Sequence, residues 1–145
     1  MAKPDRIRVP SDDLVIRLGP SPGEGAADDR PEVRPHEGEW VEIVPRLSVA
    51  DYRDDEELAR LVVEHEAHSD DEDKAALLEV QRRYFDLAGQ VLARRLLGWN
   101  WTDDAGVPLP QPHGTPAVIL ALPAEEIGYL LAVSRQNGPA QRKNG

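Results

Sequence analysis

Two histidines on one predicted helix form the only cluster in the sequence that is suited to hold a metal ion. Residues 64–68 read E-H-E-A-H, so His65 and His68 lie three positions apart on one helix face, flanked by carboxylates. The zinc-protease motif H-E-x-x-H needs a spacing of four, and the remaining histidines, His36 and His113, lie in flexible, proline-bounded positions. We therefore predict a solvated helix end and no metal site. A small metal-binding protein or enzyme using His65 and His68 is the alternative.

The sequence contains no motif for nucleophilic catalysis or phosphate binding. None of the serines lies in a G-x-S-x-G nucleophile elbow, and Ser48 and Ser69 are better explained as helix caps. The glycines of residues 19–25 lack the Gly-Lys-Ser/Thr sequence of a phosphate-binding loop, and their neighbours are acidic. We predict that the protein is not an enzyme and has no catalytic residues, no cofactor and no small-molecule substrate.

The most informative segment is residues 97–112, where a helical pattern ends in a double-tryptophan corner. Residues 103–106 read D-D-A-G, which is typical of a turn rather than a calcium loop, and prolines at every second position from 108 to 112 exclude a regular helix. The two indoles either close the end of the core or contact a partner. We expect Trp99 in the core and Trp101, nearer the turn, to be partly exposed. The candidate partner contacts are Trp99, Trp101 and Leu109.

Composition and charge exclude several classes of function. The chain has 145 residues, a net charge of −10 and no cysteine, so we expect one domain without disulfides or thiolate metal ligands. The acidic balance argues against nucleic-acid binding and against binding to anionic membranes, both of which need Lys and Arg. No apolar run approaches the roughly 20 residues of a membrane span, and no signal peptide is recognisable. We expect a location in the cytoplasm.

The N-terminal part of the chain predicts a small β element that positions the start of the helices. Residues 1–10 are polar and are predicted to be a flexible N-terminus. Residues 14–18 and 40–44 have strand patterns, and their antiparallel pairing is the simplest arrangement. Within the second strand, alternation places Val41 and Ile43 on one face and Trp40, Glu42 and Val44 on the other. Residues 21–38 have almost nothing to bury and are predicted to form a long flexible loop.

The rest of the chain has helical periodicity. Ser48 is predicted to cap a helix reaching about His68, and Ser69 with Glu72 fits a capping box for a second helix. This second helix, roughly residues 71–97, is the predicted spine. A short helix starts at residues 115–116, and a last one after Pro123 directs residues 127, 130, 131 and 134 inward.

These patterns together predict an α+β fold. A short two-stranded β element precedes a mainly helical domain with one long central helix. The single domain covers residues 11–135, with the β element in 11–45 and the helical part in 46–135. Residues 136–145 are predicted to be a disordered tail.

Three sequence blocks resemble small tail proteins of long-tailed (siphovirus-type) bacteriophages. Residues 98–110 read G-W-N-W-T-D-D-A-G-V-P-L-P and resemble the family's block W-x-[WL]-T-D-x-x-G-x-P-L-P. The blocks G-E-W-V-E-I with L-S-V-A-D (38–43 and 47–51) and L-A-L-P-A-E-E-I (120–127) resemble a strand entering a helix and the closing helix of these proteins. The similarity covers residues 38–135 in patches, whereas the loop 21–38 and the acidic run 69–73 depart from it.

The resemblance implies a tail assembly chaperone. Such proteins are encoded near the tail tube and tape-measure genes and are taken to coat or position the tape-measure protein while the tube polymerises. The implied partners are therefore the tape-measure and tail tube proteins, together with further copies of the chain in a homo-oligomer. The implied location is the host cell cytoplasm. The resemblance also fits a structural tail or connector protein retained in the virion.

Overall fold

The central strand of the sheet is β4, Trp40–Ile43, which pairs antiparallel with a strand on each side. The computed structural model describes residues 5–70 and 74–136. In chain order its elements are β1 (Ile7–Pro10), β2 (Ile16–Arg17), β3 (Glu32–Val33), β4, α1 (Val49–Ala67), α2 (Lys74–Arg95), β5 (Leu96–Trp99), α3 (Pro116–Leu120) and α4 (Ala124–Gln136). The fold is α+β, as the sequence predicted.

The sheet order is β1-β4-β5, with Val9 opposite Val41 and Val41 opposite Trp99. The predicted alternation of β4 is confirmed, because Val41 and Ile43 are buried while Trp40 is only partly covered. On the outer face of β4, Arg8 makes a cation–π contact with Trp40, because its guanidinium carbon lies 3.8 Å from the centre of the indole ring. The sheet therefore turns one apolar face toward the helices.

The strand pairing corrects two predictions. Residues 7–10 are not part of a flexible N-terminus but form β1, whose side chains alternate between partly buried and exposed. The predicted strand at 14–18 is reduced to β2, and it pairs with β3 inside the predicted loop rather than with β4. The reason is length: 22 residues separate β2 from β4, and β3 uses the nearer part of that connection to satisfy the backbone groups of β2.

The N-terminus of α1 follows the prediction from its sequence. Ser48 caps the helix, with its side chain accepting from the Asp51 amide, and the Asp51 carboxylate accepts in return from the Ser48 amide at 2.8 Å. This reciprocal pair satisfies two amides that no helical carbonyl reaches. Leu58 and Leu61 form the buried face of α1.

The predicted spine is α2, but its end differs from the prediction. Residues 96 and 97 belong to β5 instead of the helix, because Leu96 pairs with Ile43 of β4 and Leu97 lies at the irregularity before Gly98, which pairs with Glu42. The predicted capping box of Ser69 and Glu72 lies partly outside the described residues, as does the predicted start at 71–73. The Ser69 hydroxyl donates to the Glu66 carbonyl at the end of α1.

A buried arginine joins three helices at the last residue of α2. Arg95 is 1% exposed, donates to the Asp51 carbonyl at 2.8 Å and lies 3.0 Å from an Asp55 carboxylate oxygen. It also donates to the Ser134 hydroxyl of α4 at 3.2 Å. Because a guanidinium has five N–H donors in a rigid plane, one side chain fixes the relative positions of α1, α2 and α4.

The C-terminal helices close the core. α3 begins at a proline as predicted, although Thr115 makes no capping bond through its side chain. The inward face predicted for α4 is confirmed, since Ile127, Leu130, Leu131 and Ser134 are all buried. Gln136 ends α4, so it is not in a disordered tail, and the rest of the predicted tail 136–145 lies outside the described residues. No helix in the described part of the chain is long and apolar enough to cross a membrane.

Candidate functional site

The two tryptophans of the corner lie on the same side of the chain and stack on each other. Their ring centroids are 5.1 Å apart with an interplanar angle of 2°, and the exposed fractions are 3% for Trp99 and 0% for Trp101. The expectation that Trp101 is partly exposed is therefore wrong. In an extended chain, residues two positions apart point to the same face, so both indoles enter the core together.

Each indole N–H has a partner. Trp99 Nε1 donates to the Pro110 carbonyl at 3.0 Å, and Trp101 Nε1 donates to the buried Ser11 hydroxyl at 2.9 Å. The first bond ties the proline crossover back onto β5, and the second ties the end of β1 to the corner. The indoles thus act as core elements, and partner contact by Trp99 and Trp101 stays a prediction.

The turn after the corner is built by an aspartate, as predicted. The Asp103 carboxylate oxygen Oδ1 accepts from the Ala105 amide at 2.9 Å and from the Val107 amide at 3.0 Å. Gly106 has a φ of 80°, which lies in the left-handed region that glycine adopts without a steric penalty. This turn returns the chain so that Thr102 bridges to Pro108 and the prolines run back along the corner.

A histidine that the sequence places in a flexible loop is the third ring of the stack. His36 lies parallel to Trp101, with centroids 3.6 Å apart and an interplanar angle of 8°. It is 3% exposed. The predicted flexible loop 21–38 is therefore wrong at this position, since an aromatic ring of the core, Trp101, gives the imidazole a surface to cover.

Two carboxylates contact the imidazole of His36, one at each ring nitrogen. His36 Nδ1 lies 2.7 Å from a Glu39 oxygen, and Nε2 lies 2.5 Å from an oxygen of Glu126 in the first turn of α4. Glu39 also accepts from the Thr102 hydroxyl at 2.6 Å and from the Thr102 amide at 3.1 Å. We call His36, Glu39 and Glu126 the carboxylate–histidine triad.

The contacts of the triad shift the pKa values of His36 and Glu39. Burial alone lowers the pKa of His36, but the hydrogen bonds and negative charges of Glu126 and Glu39 outweigh it, so the pKa is raised above its ordinary value. For Glu39, burial raises the pKa, and the bonds from Thr102 and His36 lower it further than burial raises it. The ionised forms of His36 and Glu39 are thus stabilised together.

The chemistry open to the triad is limited. A small cleft of about 160 Å³ reaches His36 between Thr102, Leu109 and Leu122. Both imidazole nitrogens face carboxylates, so neither is available as a base, a nucleophile or a metal ligand while the triad is formed. The spacing of His36 and Glu39 in the sequence is a local signal for their contact. No local pattern indicates Glu126, which is 90 residues away.

The second candidate region is a groove between α1 and α2. It has a volume of about 240 Å³ and is lined mainly by apolar side chains, including Val62, Tyr84 and Phe85. Phe85 is shared with a second cleft that continues past Leu120 and Leu122. Leu122 also lines a third cleft, together with Leu109, another candidate for partner contact. The three clefts are separate, and we call the groove between α1 and α2 the apolar groove.

Of the two histidines in the possible metal cluster, His65 borders the apolar groove. His65 Nε2 lies 3.0 Å from the Gln81 side-chain nitrogen of α2, within hydrogen-bond distance, and His65 lines the groove wall. Within residues 5–70 and 74–136, no three His, Asp or Glu side chains group closely enough to hold a metal ion. The fold therefore provides no third ligand for His65 and His68 in the described part of the chain.

Comparisons with protein-family models, with curated proteins and with solved structures give no match to this chain. Its function has to be inferred from its own residues and from the three sequence blocks described above.

Proposed function

We propose that this protein is a non-enzymatic chaperone of phage tail assembly that binds the tape-measure protein during tail tube polymerisation. The sequence blocks around the double-tryptophan corner motivate the proposal. The observation that carries it is the apolar groove between α1 and α2. A separate apolar cleft is lined by Leu109 of the same sequence block.

The shape and lining of the groove suit a helical client. A groove between two helices accepts the apolar face of a third, with side chains at i, i+3, i+4 and i+7 as contacts. On α1 the lining runs from Leu61 to Glu66, which corresponds to roughly 8 Å of helix, so one to two turns of a client helix fit in the groove. Val62 lines the groove and is 44% exposed, so its side chain is accessible to a client helix.

The negative charge of α1 and of the whole chain indicates which client helices can bind. The α1 helix carries seven Asp or Glu against two Arg, and Glu66 lies on the groove wall. The whole chain has a net charge of −10, which disfavours acidic partners and keeps many copies soluble. We therefore expect a client helix whose apolar stripe is flanked by Lys or Arg.

The test compares two neighbouring valines of α1. Val62 lines the groove, whereas Val63 is 66% exposed and lies outside it. Segments of a siphovirus-type tape-measure protein are titrated against the wild type, Val62→Asp and Val63→Asp. We expect Val62→Asp to weaken binding at least about tenfold, as for a hot-spot contact, and Val63→Asp to have little effect.

The outcomes separate the proposal from its alternatives. Absence of binding by the wild type to every tape-measure segment, or equal loss in both variants, refutes the chaperone function at this groove. Mass spectrometry of mature phage particles that finds the chain in stoichiometric amount supports the structural virion component instead. Melting curves of both variants serve as the folding control.

A further inference from the structure

We propose that the carboxylate–histidine triad is a pH-dependent latch, which fastens the loop before β4 to α4 near neutral pH and releases it at higher pH. The latch covers the face of Trp101, so its opening would expose the double-tryptophan corner. This inference is independent of the tail-assembly proposal.

The count of donors and acceptors requires a proton in the triad. A neutral imidazole has one N–H donor and one acceptor nitrogen, whereas His36 faces a carboxylate oxygen at each nitrogen, at 2.7 and 2.5 Å. If both carboxylates are ionised, only the imidazolium satisfies both contacts. Loss of its proton places a lone pair of nitrogen against a lone pair of oxygen in a buried site, which costs free energy.

The two ends of the latch belong to distant parts of the fold. Glu39 is held by Thr102, and the loop amide of Gly38 donates to Asp12 at 2.6 Å, so these contacts fasten the loop to the strand side of the molecule. His36 to Glu126 is the contact that reaches α4. Its loss would leave the loop attached on one side only.

A second contact also joins the N-terminal segment to α4. The Tyr129 hydroxyl donates to the Asp13 carboxylate at 2.5 Å. Burial and the nearby Asp13 charge raise the pKa of this tyrosine, so it stays protonated throughout the range in which a histidine titrates. This contact therefore keeps the N-terminal segment bound to α4 while the contact of His36 with Glu126 is lost.

The groups that surround His36 all favour its charged form. Glu39 lies on its own loop, Glu126 on α4, and Asp103 and Asp104 on the turn after β5, where they line the same cleft. No Lys or Arg is among the described residues that line this cleft. Arg34, two residues before His36, donates to the Asp12 carbonyl at 2.7 Å.

The sign of the pH dependence follows from the raised pKa of His36. The unfolded chain has a histidine pKa of about 6.5, and the folded protein binds the proton more tightly. The stabilisation is fully present below the unfolded pKa and is lost as pH rises through the folded pKa. Stability from this triad should therefore decrease from about pH 6 upward.

The first measurement follows the His36 ring by NMR in the wild-type protein, so that it does not depend on any variant. We expect a titration midpoint above 6.5, with the amide signals of residues 36–39 and 126 shifting at the same midpoint. A midpoint at or below the unfolded value of about 6.5 overturns the latch.

The second measurement compares the melting temperature at pH 6 and pH 9. We expect the wild type to lose at least about 3 °C from this triad. Glu126→Gln offers His36 a neutral amide and should remove most of this fall. His113→Gln is the matched control, because His113 is exposed and contacts only a backbone carbonyl through its ring. An equal fall in wild type and Glu126→Gln refutes the latch.

Discussion

The stacked indoles give the sharpest test of the packing, because their two N–H groups have partners of different exposure. Trp101 Nε1 donates to Ser11, which is 0% exposed, whereas Trp99 Nε1 donates to the carbonyl of the exposed Pro110. Water can replace the donor at Pro110 but not at Ser11. We therefore expect Trp101→Phe to be more damaging than Trp99→Phe.

The magnitudes follow from burial and hydrogen bonding. Either Trp→Ala variant removes a fully buried ring, which costs about 3–5 kcal/mol of unfolding free energy. Phenylalanine keeps most of the apolar area and the stacking face, so the lost hydrogen bond dominates. Leaving the buried Ser11 oxygen without its donor costs about 2 kcal/mol, and the corresponding loss at Pro110 about 1 kcal/mol or less.

The assay is urea unfolding followed by circular dichroism at 222 nm, since fluorescence would change with the substituted tryptophans themselves. The Phe pair keeps the comparison measurable even if an alanine variant loses most of the total stability, which is about 5–15 kcal/mol for a domain. Equal midpoints for Trp99→Phe and Trp101→Phe would refute the role of Ser11. An Ala variant within about 1 kcal/mol of wild type would refute the burial of its ring.

Two further predictions concern helices. Gly128 is an exposed position inside α4 with no atom near its missing Cβ, so Gly128→Ala should raise the unfolding free energy by about 1 kcal/mol. Gly89→Ala gains the same helix propensity, but its Cβ would lie 3.1 Å from Leu120 Cγ, so thermal melts should show a smaller gain or a loss. Ser48→Ala removes the cap of α1 and should lower stability by about 1 kcal/mol in the same melts. Equal effects of both glycine substitutions would contradict the packing of α3 on α2, and an unchanged Ser48→Ala would contradict the capping box.

Local patterns in the sequence were sufficient for most of the helical part. The Ser48 cap and the inward residues of α4 depend on groups within one or two turns of each other, and both predictions are confirmed. The α+β class also follows from local periodicity, because period-two patterns precede Pro45 and helical patterns follow it.

Only the tertiary structure decided the partners of distant segments. The pairing of β4 with β1 and β5 joins residues up to 58 positions apart, as in Val41 with Trp99, and the pairing of the main chain leaves little trace in side-chain patterns. The same limit explains why the sequence predicts a flexible N-terminus at residues 7–10 and a helix at 96–97, where the structure has strands. A strand of four residues gains its stability from its neighbours rather than from its own sequence.

In the candidate site, too, some features follow from the local sequence and others only from the fold. The sequence determined that a turn follows the two tryptophans and that no regular helix forms at residues 108–112, because turn formers and prolines act locally. It did not determine that His36 stacks on Trp101 or that Glu126 completes the triad, since those contacts span 65 and 90 residues. A buried polar group is satisfied by whichever partner the fold brings near it, and that choice is made by packing rather than by local sequence.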